Sequence, residues 1–151
     1  MKNLRLGFVA GLVVGAVVAL GAAQGSSQPR AINLPGRTTV APFSDAMLAG
    51  DTLYVAGRLG LDPETGRPPA TAEQEAHNVL NGIQAVLAEA DMTMDDLVIV
   101  QVFCSDIGLY GAFNSVYREY FSDAPPARAF LGSGTLLFGA RFEVTGVAVG
   151  G

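Results

Sequence analysis

Hydrophobic residues change their rhythm several times along this chain, and each change marks an element. Beyond Thr71, the residues Ala76, Val79, Leu80, Ile83, Val86, Leu87 and Ala90 recur at intervals of three and four. That spacing gathers side chains on one face of a helix. Thr71 and Gln74 have the spacing of a capping box at its start, and Glu73 and Glu75 suit the positive end of the helix dipole. His77 and Asn81 fall off the apolar stripe, which makes His77 a solvated helix residue. A second helix is predicted over roughly Leu109 to Phe121, with Tyr110, Phe113, Tyr117 and Phe121 along one flank. Asp123-Ala124-Pro125-Pro126 stops it.

Elsewhere the rhythm shortens. "RAINLPGRTTVAPFS" reads as one short strand and a loop broken by Pro35, Gly36 and Pro42. "AMLAGDTLYVAGRLGL" reads as a hairpin turning at Ala49-Gly50-Asp51, followed by the turn cluster "DPETGRPP". In "ARFEVTGVAV", Phe142, Val144 and Gly146 alternate with Glu143, Thr145 and Val147, the period of a strand with two different faces. "LVIVQVFC", Leu97 to Cys104, has seven apolar residues in eight and predicts a strand buried on both sides. The predicted order is β, β-hairpin, α, β, α, β, β, an α+β sheet with both helices on one side. Too little chain remains to cover the sheet's other side, which predicts a homo-oligomer with sheets packed together.

The first residues follow none of these patterns. A basic head "MKNLR", an uncharged apolar run and the small-residue stretch around Gly21 and Ala23 have the order of a secretory signal. We therefore expect residues 1–23 to be a signal peptide, 24–30 a linker and 31–151 one folded domain, periplasmic or secreted. The competing expectation is an uncleaved anchor. Leu6 to Ala23 is eighteen residues, at the short end for a span, and Gly7, Gly11 and Gly15 have the spacing of a helix-dimerising face. The domain would then be membrane-attached.

Taking the leader away changes the charge balance. The nine Lys and Arg fall to seven, all arginine, against fourteen acids, so a net charge of −5 becomes −7. Such a surface repels nucleic acid and anionic lipid, because phosphate binding needs clustered cations. Cys104 has no second cysteine to pair with and sits within an apolar strand, which predicts a buried structural thiol. One histidine with no His or Cys beside it predicts no metal site and no Ser/His/Asp set.

Scarce cations make each arginine informative. Arg128 opens an apolar strand after two prolines, with Phe130 as its same-face neighbour. A guanidinium matches a carboxylate bidentately, and half-buried beside an aromatic ring it needs an anion. That anion is either a ligand or the protein's own Glu143. Glu143, interrupting an otherwise apolar strand, could hold a water or accept a proton, or else pair with Arg128, Arg141 or Arg58. "GSG" at Gly132–Gly134 is too short for a phosphate cradle and reads as a bend.

"DTLYVAGRLGLDPETG", "HNVLNGIQAVLAEADMTMDDLVIVQVF", "FNSVYREYF" and "PPARAF…FEVTGVAV" together resemble the RidA family, also called YjgF, from about Ala31 onward. The resemblance implies a chorismate-mutase-like mixed sheet with two helices on one face, and a homotrimer with clefts between subunits. It implies hydrolysis of 2-enamino and 2-imino acids to 2-oxo acids and ammonia, with no cofactor and no metal. Arg128 falls on the family's carboxylate-binding arginine and Glu143 on the acid associated with the attacking water. Asn114 and Gly57 fall on a pocket asparagine and the cleft glycine. Four positions depart: Phe43 replaces a tyrosine, Ala56 a serine, Phe130 a cysteine and Arg58 a glutamine. Three lost polar groups and an added aromatic wall leave a second expectation, an exported binder of small hydrophobic carboxylates that does no chemistry.

Overall fold

The computed structural model describes residues 28–37, 41–122 and 124–151. The signal peptide and most of the linker expected from the sequence lie outside them. The expected element order is observed: β1 (Arg30–Ile32), β2 (Ala46–Ala49), β3 (Thr52–Leu59), α1 (Ala72–Ala88), β4 (Leu97–Cys104), α2 (Tyr110–Tyr117), β5 (Ala127–Gly132) and β6 (Phe142–Val149). One six-stranded sheet runs β1-β2-β3-β6-β4-β5. Its pairs are antiparallel except β4 and β5, which run parallel with α2 as their crossover.

The helix stripe read from the sequence is the core. Ala76, Val79, Leu80, Ile83, Val86 and Leu87 are all buried and pack on Leu53, Val55, Val100, Val102, Phe142 and Val144 of the sheet. Thr71 caps α1 by accepting from Gln74 N at 3.2 Å. The Gln74 side chain points forward rather than back to the cap, its Nε2 donating to Asn78 Oδ1 at 3.0 Å.

Both helices lie on one face of the sheet, so β4 is covered on one side only within a single chain. Val100, Val102 and Cys104 are buried, while Ile99 and Gln101 are exposed. Met47, Tyr54, Val147 and Ile99 stand opposite one another on consecutive strands. Together with Leu131 they give the uncovered face an apolar row, and Met47, Tyr54, Ile99 and Leu131 are 38–52% exposed. The expected double burial is therefore absent from the isolated chain. Cys104 behaves as expected: it is buried, its Sγ–H meets Asp106 O at 3.0 Å, and burial pushes its thiol pKa up.

Candidate functional site

Arg128 is in register with Val100 of the parallel neighbour β4, so its side chain emerges on the helix-covered face. Asn114 on α2 accepts from its Nη2 at 2.7 Å. The guanidinium carbon lies 4.4 Å from the Tyr117 ring centroid and 5.8 Å from those of Tyr110 and Phe130. These are cation–π distances. Phe130 is itself wedged edge-on against Tyr110 at 5.0 Å and Phe113 at 5.7 Å. Asn114, Phe130 and Arg128 thus form one cluster.

What this arginine lacks is an acid. Among the described residues the ion pairs join Arg37 and Arg58 to Asp45, His77 to Glu119 and Arg141 to Glu75. No carboxylate among them lies within 4.0 Å of Arg128. Its Nη1 is buried with no acceptor, and the Tyr117 hydroxyl is orphaned in the same way. A buried donor left unmade is costly, and more so on a charged group. Burial also pushes the Tyr117 phenol up to about 12, with the Arg128 charge acting in the opposite sense. Beside the guanidinium, between α2 and the Pro125-Pro126 turn, opens a cavity of about 500 Å³.

Glu143 is not the missing partner. It pairs with Phe103 in register, next to Val144, which faces the core, and so projects from the uncovered face. Arg128 and Glu143 therefore stand on opposite faces of the sheet. Neither Arg58 nor Arg141 takes Glu143 as a partner either. Gly57 explains where the carboxylate rests: a methyl at that position would collide with Glu143 Oε1. Removal of a side chain at Gly57 is what lets Glu143 lie across β3.

Arg58 is turned away by the same stretch of backbone. The register between β3 and β6 slips between Val55 and Arg58. This bulge at Ala56-Gly57 puts Arg58 opposite Val144, on the helix face. There it meets Asp45 at 3.4 Å and lies over Gly82, whose Cβ position is 2.7 Å from Arg58 Nε. Burial lowers its pKa, opposed by Asp45. Along one row of the sheet Arg58, Val144, Val102 and Phe130 follow in order. Three strand spacings, about 14 Å, separate the first from the last. Phe43 is farther out, exposed, with the Arg37 guanidinium 5.4 Å from its ring. One chain therefore brings together Arg128, Asn114 and Phe130, and separately Glu143 with Gly57. It leaves Arg58 and Phe43 outside both groups.

Two arrangements escaped the sequence reading. Glu75 is fully buried. Its carboxylate accepts from Arg141 Nη1 at 2.7 Å and from the Arg141 and Phe142 backbone N–H groups at 2.6 and 3.0 Å. The sequence placed it among first-turn acids, and only its position two residues past Glu73, on the side of the apolar stripe, hinted otherwise. His77 is not a freely solvated residue: its Nδ1 lies 3.0 Å from Tyr120 OH, which donates to Asn81 Oδ1 at 2.8 Å. Among the described residues no group of three His, Cys, Asp or Glu could hold a metal ion.

Residues 35–150 match the endoribonuclease L-PSP family. The chain is similar to a RutC family protein of Sulfurisphaera tokodaii, with 38% identity over 90 residues, 59% of this chain and 72% of that protein. It is similar to a 2-iminobutanoate/2-iminopropanoate deaminase of Capra hircus, with 35% identity over 113 residues, 74% of this chain and 82% of that protein. Among solved structures, RidA from the Antarctic bacterium Psychrobacter sp. PAMC 21119 aligns with a TM-score of 0.69 and 29% identity, covering 74% of this chain and 90% of that one.

Proposed function

The chain belongs to the RidA/YjgF family, matched as endoribonuclease L-PSP, and from that premise we propose that it hydrolyses 2-enamino and 2-imino acids to 2-oxo acids and ammonia in a cleft completed by a second copy. The observation that carries this reading is the buried Arg128 Nη1 with no acceptor, on a guanidinium with no carboxylate among the described residues within 4.0 Å. A substrate carboxylate supplies the missing charge as a two-pronged pair. Asn114 and Tyr117 hold the guanidinium in place while it does so.

Water then adds to the imine carbon and the tetrahedral adduct expels ammonia. Glu143 is the residue to hold that water, and main-chain groups near Gly57 or Phe130 are those to orient the C=N unit. Glu143 and Arg128 leave opposite faces of one sheet, so the Glu143 of each site comes from a neighbouring copy. The exposed row of Met47, Tyr54, Ile99 and Leu131 supports that contact, since burying it would remove an apolar face from water. A homotrimer is the assembly proposed. Imines hydrolyse readily, so positioning and modest proton handling suffice.

The test is complementation. R128A and E143Q proteins should each release little ammonia from a 2-imino acid generated in situ. Unfolded together and refolded as mixed assemblies, they should regain activity at sites that draw Arg128 and Glu143 from different copies. Activity that never returns in folded mixed oligomers defeats the shared cleft.

Phe130 favours a second reading. Its ring, packed on Tyr110 and Phe113, leaves an aromatic wall where a polar contact would orient the reacting group. On that reading the protein captures a small hydrophobic carboxylate and does no chemistry. Binding of 2-oxobutanoate and benzoate without ammonia release from imines would favour it. RNA cleavage fits neither, given the acidic balance of the chain. For location we propose the periplasm or the exterior, with the leader as support. Membrane attachment would need the leader, since no helix among the described residues is long and apolar enough to cross a membrane.

A further inference from the structure

The cavity beside Arg128 has a second cation. Tyr110, Asn114, Tyr117, Arg118 and Phe121 line it together with the Pro125-Pro126 turn. The first four recur at i, i+4, i+7 and i+8, so α2 and the start of the 3-10 turn that continues it (Arg118–Tyr120) present one face to the cavity, with Phe121 just past that turn. Asn114 is the residue that holds Arg128. Arg118 lies one helical turn beyond it, about 6 Å further along the axis.

Arg118, like Arg128, has no carboxylate within 4.0 Å among the described residues. Arginine is scarce here, seven against fourteen acids once the leader is set aside. Arg37, Arg58 and Arg141 are each met by an acid; among the described residues Arg30, Arg67, Arg118 and Arg128 are not, and of these four Arg118 and Arg128 line one cavity together. Two like charges on one concave, partly apolar wall focus a positive potential into it. The cavity's volume, about 500 Å³, lies in the range of sites that take ligands much larger than a four-carbon acid.

We propose that Arg118 binds a second anionic group of the ligand, so that the cavity takes dicarboxylic 2-imino and 2-oxo acids in preference to monocarboxylic acids of equal length. The proposal rests on Arg128 being the anchor for the first carboxylate. Tyr110, Phe121 and Pro125 then flank the methylene spacer, and Arg118 takes the distal carboxylate.

The experiment titrates the full-chain assembly at low salt with 2-oxohexanoate and 2-oxoadipate, which have the same carbon count and differ in one carboxylate. The dicarboxylate should bind about two- to fivefold tighter, the upper range for one charge pair on an exposed arginine. R118Q, checked for fold and assembly, should bring the two acids to equal affinity. Equal affinities in the unmodified protein, or a preference that survives R118Q, overturns the proposal. R128A separates the two claims. If R128A abolishes binding of both acids but no dicarboxylate preference exists, only the role of Arg118 falls. If 2-oxohexanoate binding survives R128A, or neither acid binds the unmodified protein, the anchor falls and this inference with it.

Discussion

Arg141 and Arg128 stand close to the same central strands, and the fold treats them in opposite ways. Arg141 meets Glu75, a carboxylate with no exposure at all, at 2.7 Å, and its remaining donors reach Pro69 O at 3.0 Å and Ala70 O at 3.2 Å. Its charge is cancelled, and the result ties the turn before α1 to the start of β6. Arg128 is held by Asn114 and three rings, groups that carry no charge. Burial alone therefore does not distinguish a structural cation from a candidate ligand anchor. The distinguishing feature is whether the surrounding groups neutralise the charge or merely orient it.

The contrast breaks first on the structural side. Glu75→Ala should destabilise the domain by about 3–5 kcal/mol, the cost of stranding a buried ionic partner, read from denaturant unfolding. Arg128→Ala should do the reverse in kind: turnover of a 2-imino acid should fall on the order of 100- to 1,000-fold through loss of two charge-assisted bonds. The unfolding free energy should move by about 1 kcal/mol or less, because that guanidinium has no acid to lose. If the two variants showed equal destabilisation, the distinction drawn between them would be gone. Gly57→Ala comes next. Its methyl takes the place of Glu143 Oε1, so turnover should drop about tenfold, with about 1–3 kcal/mol of overpacking cost.

The smallest effect concerns Tyr117. Its folded pKa, about 12, is above the unfolded value near 10. The unfolded chain loses its phenolic proton first, so this residue's contribution to stability is present below pH 10 and declines between about pH 10 and 12. Tyr117→Phe should flatten that alkaline decline in a pH series of thermal melts, and should cost little at neutral pH because the hydroxyl has no partner.

Much of the architecture was legible because it follows from local rhythm. The stripe from Ala76 to Leu87 and the alternation in Phe142–Val149 each pointed to the correct face. Arg128 was singled out by its place at the start of an apolar strand and Asn114 by the family resemblance, while their contact shows only in the fold. What stayed hidden depends on register between distant strands. The bulge that sends Arg58 to the helix face lies between the pairs Val55–Gly146 and Arg58–Val144, which join positions 91 and 86 apart. That Arg128 and Glu143 leave opposite faces follows only once both are aligned against β4. Glu75 hid for another reason: its partners are the side chain and backbone of residues 66 and 67 positions away. Arg118 gains meaning only after Asn114 is known to touch Arg128.

The bare side of the sheet has a practical consequence for anyone handling the protein. Tyr54 and Ile99 sit on an apolar face that a single chain shows to water. On the proposed assembly, dilution, chaotropes or a badly placed purification tag that parts the subunits would uncover this face, and turbidity should be the first sign.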